Sequence, residues 1–448
     1  MRIIRTCREL HIETVLAASA ADRDSLPARL ADRTVCIGPA RPADSYLKVD
    51  AIVHAALATQ SEAVHPGYGF LSERAELASA CEAAGLIFIG PTAGQLDAVG
   101  DKLRARAEAE AAGVPVVPGA AVASVVQAVA AARLIGVPLL VKAVGGGGGR
   151  GMKRVDRLDD LPATMELAAA EAGAAFGDAR VYLERFIASG RHVEVQVLGD
   201  GSGRVIHLGE RDCSVQRRYQ KLVEETPAPG LSAALRDALH AAAVRITARL
   251  SYRGAGTVEF LVDRARDTFY FLEMNGRIQV EHPVTEAVTG VDLVAEQIAI
   301  AEGAGLRLAQ SDIRCRGWAI ECRVNAEDPA NDFRPSPGLV RGVSWPSEEG
   351  IRVDTHIGPG SHVPPYYDSL LGKIIAHAPD RACALVRLRH AVASIRLEGV
   401  HTNLAFQEVV LADPEFEAGG VDTGFVARLL ERPAPQTEYA SNGRCTAR

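Results

Sequence analysis

The most regular hydrophobic pattern in the chain is a strict alternation over residues 273–281. Glu273, Asn275, Arg277, Gln279 and Glu281 take one parity, and Met274, Gly276, Ile278 and Val280 the other. Successive side chains of an extended strand point to opposite faces. The pattern therefore predicts one strand through this stretch, polar on one side and packed on the other, with same-face residues about 6.6 Å apart. A solvated edge strand alternates as well, but Lys, Ser and Thr are expected there. A face of Glu, Asn, Arg, Gln and Glu reads as a site. Just upstream, GTVEFLVD (256–263) and FYFLEMN (269–275) are apolar runs joined by a polar turn at 264–268, a hairpin signal.

The remaining pattern divides the chain. MRIIRTCREL reads as an amphipathic helix with Ile3, Ile4, Cys7 and Leu10 on one side. Short apolar strands at 13–19, 34–38 and 85–91, and one ending in the Gly/Pro turn of AVHPGYG (63–69), alternate with helices near 51–57 and 75–84, which indicates a parallel sheet of doubly wound type. Helices are expected over 101–112, 125–135, 163–172, 233–249 and 291–301, and strands over 137–144, 152–155, 181–187, 192–200 and 204–211. Beyond residue 315 the pattern turns to antiparallel strands at 318–328 and 339–345, with a helix near 382–395. Residues 433–448 have no apolar pattern and are expected to be a disordered tail.

A length of 448 residues exceeds what one core organises and suggests roughly three domains. With 48% hydrophobic and 23% charged residues the composition is that of a globular protein. A net charge of −7 argues against a nucleic-acid partner, because neutralising phosphates needs a basic surface. No stretch approaches the roughly 20 apolar residues of a membrane span, and the charged N-terminus lacks a signal-peptide core. The eight cysteines form no C-x-x-C pair, so reduced thiols in a cytoplasmic protein are expected.

Three stretches carry candidate chemistry. With the hairpin turn centred near Arg266, Glu259 and Glu273 fall opposite one another. Opposed like charges destabilise a sheet unless neutralised, and Mg²⁺ does this with carboxylate oxygens and ligand phosphates. Asn275 offers a third oxygen on the same face. Five glycines at 145–149 join two strands, so the run suits a hairpin that covers phosphates with backbone N–H groups. Lys142 stands just before it, and Lys102 near a helix start is a further candidate for a phosphate contact. ERDCSVQRRYQKLVEE (210–225) is dense in charge: Gln216, Arg217, Arg218 and Lys221 beside acidic pairs suggest either a solvated loop or a network around an anion. Cys213 has no neighbouring base and reads as packed, and His192 alone reads as a core histidine.

HPGYGFLSE (65–73), KAVGGGGGRGM (142–152), RHVEVQVLGDG, ERDCSVQRR, LEMNGRIQVEHPVTE, ECRVNAEDP (321–329) and PPYYDSLLGK (364–373) stand in one order along nearly the whole chain. Together they resemble biotin carboxylase, a member of the ATP-grasp superfamily. The resemblance implies an α/β chain with a Rossmann-like N-terminal domain at 1–98, an ATP-grasp domain at 99–303 with a lid at about 114–187, and an α+β C-terminal domain at 304–432. It implies ATP contacts from Lys102, Lys142, Gly147, Gly148, Gly149, Glu184, Ile187, His192, Gln216 and Tyr219. The family commonly has His at Tyr219, where a phenol can still hydrogen-bond. Glu259, Glu273 and Asn275 match its Mg²⁺ (or Mn²⁺) ligands. Arg277, Gln279, Val280 and Lys221 match bicarbonate-site positions, Glu281 the catalytic base, and Arg323 the arginine facing biotin.

By the same resemblance the chain is a ligase subunit, a homodimer, acting on biotin borne by a separate carrier protein, with a carboxyltransferase subunit passing the carboxyl group to an acyl-CoA. Two departures stand out. Gly276 replaces a bulkier residue on the face away from the polar groups. The family also opens with a strand and a glycine turn before the helix matching RIIRTCREL, and neither is in this sequence. Loss of a central strand destabilises a sheet on the order of several kcal/mol. Either translation starts further upstream or the first domain is compromised. The rival readings are another ATP-grasp ligase, joining a carboxylate to an amine, and a non-enzymatic assembly subunit.

Overall fold

The structure is a computed structural model that describes residues 1–145 and 151–432. The expectations for Gly147, Gly148, Gly149 and the 433–448 tail lie outside the described residues.

The N-terminal helix Arg2–Glu9 forms as its periodicity predicts, with Ile4 and Cys7 buried. Val15–Ala18 pairs in parallel with Arg33–Cys36, and Ala63–Val64 in parallel with Ile87–Phe88. Both pairings are of the expected parallel kind. They make separate two-stranded sheets, and the strand expected at 85–91 contracts to two residues. The helices Val49–Ala58 and Ala75–Ala83 pack Ala56, Leu77, Ala78 and Cys81 into one small core with Phe88 and Leu96.

Eight strands build the central antiparallel sheet: β1 (Gly190–Asp200), β2 (Val205–Arg217), β3 (Gln220–Thr226), β4 (Arg253–Asp263), β5 (Thr268–Asn275), β6 (Trp318–Asn325), β7 (Ile351–Thr355) and β8 (Leu370–Ala378). Their spatial order is β5–β4–β1–β2–β3–β6–β8–β7. One sheet thus runs from the residue-259 hairpin into the C-terminal region. Val193, Val195, Val197, Val258, Phe260 and Val262 face the Ala233–Arg249 helix in an apolar core. Alternating with them, His192, Glu194, Gln196, Thr257 and Glu259 lie on the other face, so period-2 alternation leaves this part of that face for chemistry.

A four-stranded sheet, Gly119–Ala121, Val181–Arg185, Leu139–Ala143 and Met152–Val155 in that order, stands beside it. Leu139, Val141, Val155, Leu161 and Leu183 pack with helices Val125–Ile135 and Leu161–Phe176 in its own core. Leu139–Ala143 and Met152–Val155 are antiparallel neighbours, so the glycine run does join two paired strands.

Two expectations need correction. The alternating stretch is a strand only to Asn275. After it the backbone turns, and His282–Thr289 is a helix with Pro283 in its first turn and Gly290 at φ 72° closing its end. Both are ordinary helix signals that the alternation masked. The charged run 210–225 is no loop but the β2–β3 hairpin, with Arg217 paired to Gln220. Arg218 and Tyr219 form its two-residue turn at φ 48° and 68°. A turn of this hand is usually written Asn-Gly, so its sequence signal is missing.

Candidate active site

The hairpin register puts Glu259 opposite Glu273, as the turn position predicts. On the other flank Glu259 faces Glu194 of β1, and Glu194 faces Arg211 of β2. Three glutamates therefore stand side by side across three adjacent strands. Like charges in this register destabilise a sheet unless cations sit over them. Lys221 of β3 does so, with its Nζ 2.6 Å from Glu194, 3.1 Å from Glu259 and 2.6 Å from Glu281. Arg211 reaches Glu194 at 2.6 Å, and His192 Nε2 lies 2.9 Å from Glu259. Lys102, at the start of helix Lys102–Ala111 behind its Asp101 cap, pairs with Glu273.

The polar side chains past Asn275 stay on the site side although the strand has ended. Arg277 donates to Gln279 Oε1 at 2.8 Å and to Asn275 Oδ1 at 3.2 Å. Asn275 and Gln279 both donate to Glu259 Oε1, at 2.9 and 3.2 Å. Met274 and Ile278 meanwhile pack into two different cores. Glu281, 1% exposed, accepts from Lys221 and lies 3.1 Å from Arg323 of β6. Lys373 of β8 donates to the Val280 carbonyl.

On the lid side Lys142 donates to Glu184 at 2.7 Å, over the Tyr182 ring. Ile187 follows that strand, half-buried. Gln216 is buried near the end of β2, and Tyr219 is exposed at the turn. Arg217 and Arg218 stand apart from the network over the glutamates, since both pair with Asp332. The anion-network expectation for this run holds for Lys221 and not for these two arginines.

Burial alone would raise the Glu281 carboxyl, but Lys221, Arg323 and Arg211 hold it well below the usual carboxylate range. Glu259 is likewise lowered against burial by Lys221 and His192. Burial opposes the charge on Lys221, yet its three glutamates keep its ammonium well above the ordinary value. The Cys213 thiol is pushed well up by burial and by Glu194, which fits a packed rather than a nucleophilic cysteine.

Sequence reasoning missed Glu194, Arg211, Glu224, Lys373 and Glu73, which holds Arg277 at 3.0 Å. Glu194 had a signal: His192, Glu194 and Gln196 alternate with three valines as the 273–281 stretch does. The others depend on strands and loops distant in the chain. Among the described residues, His192, Glu194 and Glu259 form one group of potential ligand atoms within 4.8 Å, and Glu194, Cys213 and Glu281 another. The all-oxygen set of Glu259, Glu273 and Asn275, two of them strand-opposed carboxylates, suits a hard cation such as Mg²⁺.

A four-stranded sheet carrying Lys142, beside an antiparallel sheet with opposed carboxylates, fits the ATP-grasp class of ligase. Residues 1–96 match the model of the biotin carboxylase N-terminal domain, 101–309 that of the carbamoyl-phosphate synthase L chain ATP-binding domain, and 321–428 that of the biotin carboxylase C-terminal domain. The chain is 49% identical over 431 residues to biotin carboxylase of Nostoc sp., covering 96% of each. It is 48% identical over 433 residues to biotin carboxylase of Pseudomonas aeruginosa, again covering 96% of each. A crystal structure of Campylobacter jejuni biotin carboxylase in a β,γ-ATP complex superposes with a TM-score of 0.93 at 42% identity, over 95% of this chain and 96% of that one. The biotin carboxylase domain dimer of Hydrogenobacter thermophilus 2-oxoglutarate carboxylase, with MgADP and bicarbonate, gives 0.92 at 42% identity, over 95% and 94%. The chain belongs to the biotin carboxylase family.

Proposed function

We propose that this chain carboxylates biotin on a separate carrier protein, using ATP, Mg²⁺ and bicarbonate. The observation that carries the reading is the convergence of Lys221, Arg277, Gln279 and Glu281 on the row Glu194–Glu259–Glu273. Glu259, Glu273 and Asn275 would hold Mg²⁺, which when bound neutralises phosphate oxygens. Lys102, Lys142, Glu184, Ile187, His192, Gln216 and Tyr219 line the nucleotide's place, with Lys102 and Lys142 drawing charge off the phosphates.

Arg277 binds bicarbonate through its planar fork, beside Gln279, Val280 and Lys221. Glu281 takes the bicarbonate proton as the oxygen attacks the γ-phosphorus and ADP departs, giving carboxyphosphate. A carboxylate held this far down is a weak base. An arriving anion draws Lys221 toward itself, and Glu281 is thereby released upward. Carboxyphosphate then divides into CO₂ and phosphate. The phosphate takes the ureido N–H proton of biotin, and Arg323 stabilises the enolate oxygen while the nitrogen attacks CO₂.

In this reading the chain is a cytoplasmic homodimer that works with a biotin carrier protein and a carboxyltransferase subunit, and the final acceptor is an acyl-CoA such as acetyl-CoA or propionyl-CoA. Support comes from relatives that the chain matches over nearly their full length. The test is ADP release by the purified chain with Mg²⁺-ATP. Release should require bicarbonate and rise with free biotin. Release stimulated instead by a carboxylate with an amine favours another ligase, and no release under any condition favours an assembly role.

A further inference from the structure

Behind the bicarbonate positions, β3 and β6 place two more carboxyls face to face, with Glu224 opposite Glu321. Both are fully buried. Glu224 uses one oxygen on Arg323, at 2.6 Å, and its other oxygen has no partner among the described residues. Neither oxygen of Glu321 has a hydrogen-bond partner among them either. The nearest cation, Lys373 of β8, is 3.9 Å away and donates to the Val280 carbonyl. Arg323 on β6 itself is occupied by Glu224 and Glu281.

Among the described residues the other surroundings supply no compensation. Ile375 stands opposite Glu321 on β8, and Val284 and Val288 of the His282–Thr289 helix pack with Ile375 and Ala319. His282 is kept neutral by burial and by Lys373. Asp354 on β7, opposite Lys373, is paired to Arg352. An ionised, unpaired carboxylate at this depth is far costlier than a neutral one.

We propose that Glu321 works as an uncharged carboxylic acid beneath the bicarbonate site, a positioning residue whose neutrality leaves Lys373 free to hold the Val280 carbonyl. Val280 precedes the base Glu281, so Lys373 fixes the backbone on which both the anion and its proton acceptor depend. Ionised, Glu321 would compete for Lys373 and pull it off that carbonyl. Burial pushes the Glu321 carboxyl up to about 8, opposed by Lys373 and reinforced by Glu224, so the competition begins on the alkaline side of neutrality. Burial also raises Glu224, to about 6, against the pull of Arg323.

The inference rests on the proposed bicarbonate reaction, and two readouts separate its failure from the failure of that reading. The first is KM for bicarbonate against pH. In the wild type it should rise by about tenfold as pH passes about 8, the equivalent of one charged hydrogen bond, while KM for ATP stays level. In Glu321→Gln, which cannot ionise, that alkaline rise should vanish. The second is thermal melting, which needs no turnover. A carboxyl raised from about 4.3 when unfolded to about 8 when folded stabilises below the lower value and loses that contribution as pH rises to the upper one. The wild-type melting temperature should therefore fall through this window, and Glu321→Gln should flatten the fall. Glu321→Met, uncharged and of similar size, takes over if the Gln variant does not fold. A wild type without the alkaline rise, or uncharged variants that keep the rise and the melting slope, would overturn the proposal. A wild type with no bicarbonate-dependent turnover would remove the reaction instead, and the melts would still decide whether Glu321 is neutral.

Discussion

Glu281 and Glu273 share one short stretch of sequence, but their neighbours give them different tasks. Glu281 is enclosed by Lys221 and Arg323, and Glu273 lies at the sheet edge with Lys102. Glu281→Gln keeps the shape and removes the proposed base. Bicarbonate-dependent ADP release should then drop by about 10²–10⁴-fold while nucleotide titration stays near wild type. Glu273→Gln keeps the proposed base and weakens the proposed Mg²⁺ donor set, so half-maximal activity should need several-fold more Mg²⁺. Equal effects of the two variants on turnover and on Mg²⁺ demand would erase the division of roles. Gly276 belongs to the same stretch. A Cβ there would lie 2.9 Å from Leu96 Cδ2, on the packed side, so a side chain at this position would require Leu96 to move.

At the scale of elements, the β2–β3 hairpin carries Lys221 to the glutamates and pivots on a strained turn. Arg218 and Tyr219 both hold positive φ, which costs an L-residue roughly 1–2 kcal/mol. Replacing the pair by Asn-Gly should stabilise the protein by about 1–2 kcal/mol in denaturant unfolding. The same double variant reads out the expected nucleotide contact of Tyr219: KM for ATP should rise, with bicarbonate demand unaltered. The lid sheet has a core of its own, distinct from that behind the central sheet. Its strand Leu139–Ala143 delivers Lys142 to Glu184 from within that core.

Across the whole molecule, distant parts of the chain meet through ion pairs, most of them part-buried, around the His282–Thr289 helix. Arg2 reaches Glu286 and Asp292 at 2.7 Å each, Arg352 reaches Glu286 at 2.8 Å, and Arg5 reaches Asp354 at 3.0 Å. The N-terminal helix is thus fastened to the helix that directly follows Glu281. Arg2→Leu would leave Glu286 with Arg352 as its only arginine and take the arginine from Asp292, and should lower stability by about 1–3 kcal/mol. If the fastening transmits to the site, it should also raise KM for bicarbonate more than KM for ATP. An unchanged melting temperature would make these pairs incidental. Among the described residues no helix is long and apolar enough to cross a membrane.

Alternation and turn position determined a good part of this site from sequence. The register Glu259–Glu273 followed from counting across a short turn, because a hairpin's pairing is local. The parity of 273–281 correctly sorted polar from packed side chains, even though the strand itself ends at Asn275. It did so because a turn anchored by Ile278 in a core keeps the neighbouring polar groups turned toward Glu259 and Lys221. The N-terminal helix and the glycine-linked strand pair were likewise legible as local patterns. Only the tertiary structure decided which charges meet. Lys221 serves three glutamates from three separate segments, Lys373 reaches back to the Val280 carbonyl, and Glu224 faces Glu321 across a strand pair with no local signal. Propensity and periodicity act over a few residues, whereas electrostatic compensation in a buried sheet is set by lateral neighbours far apart in the chain.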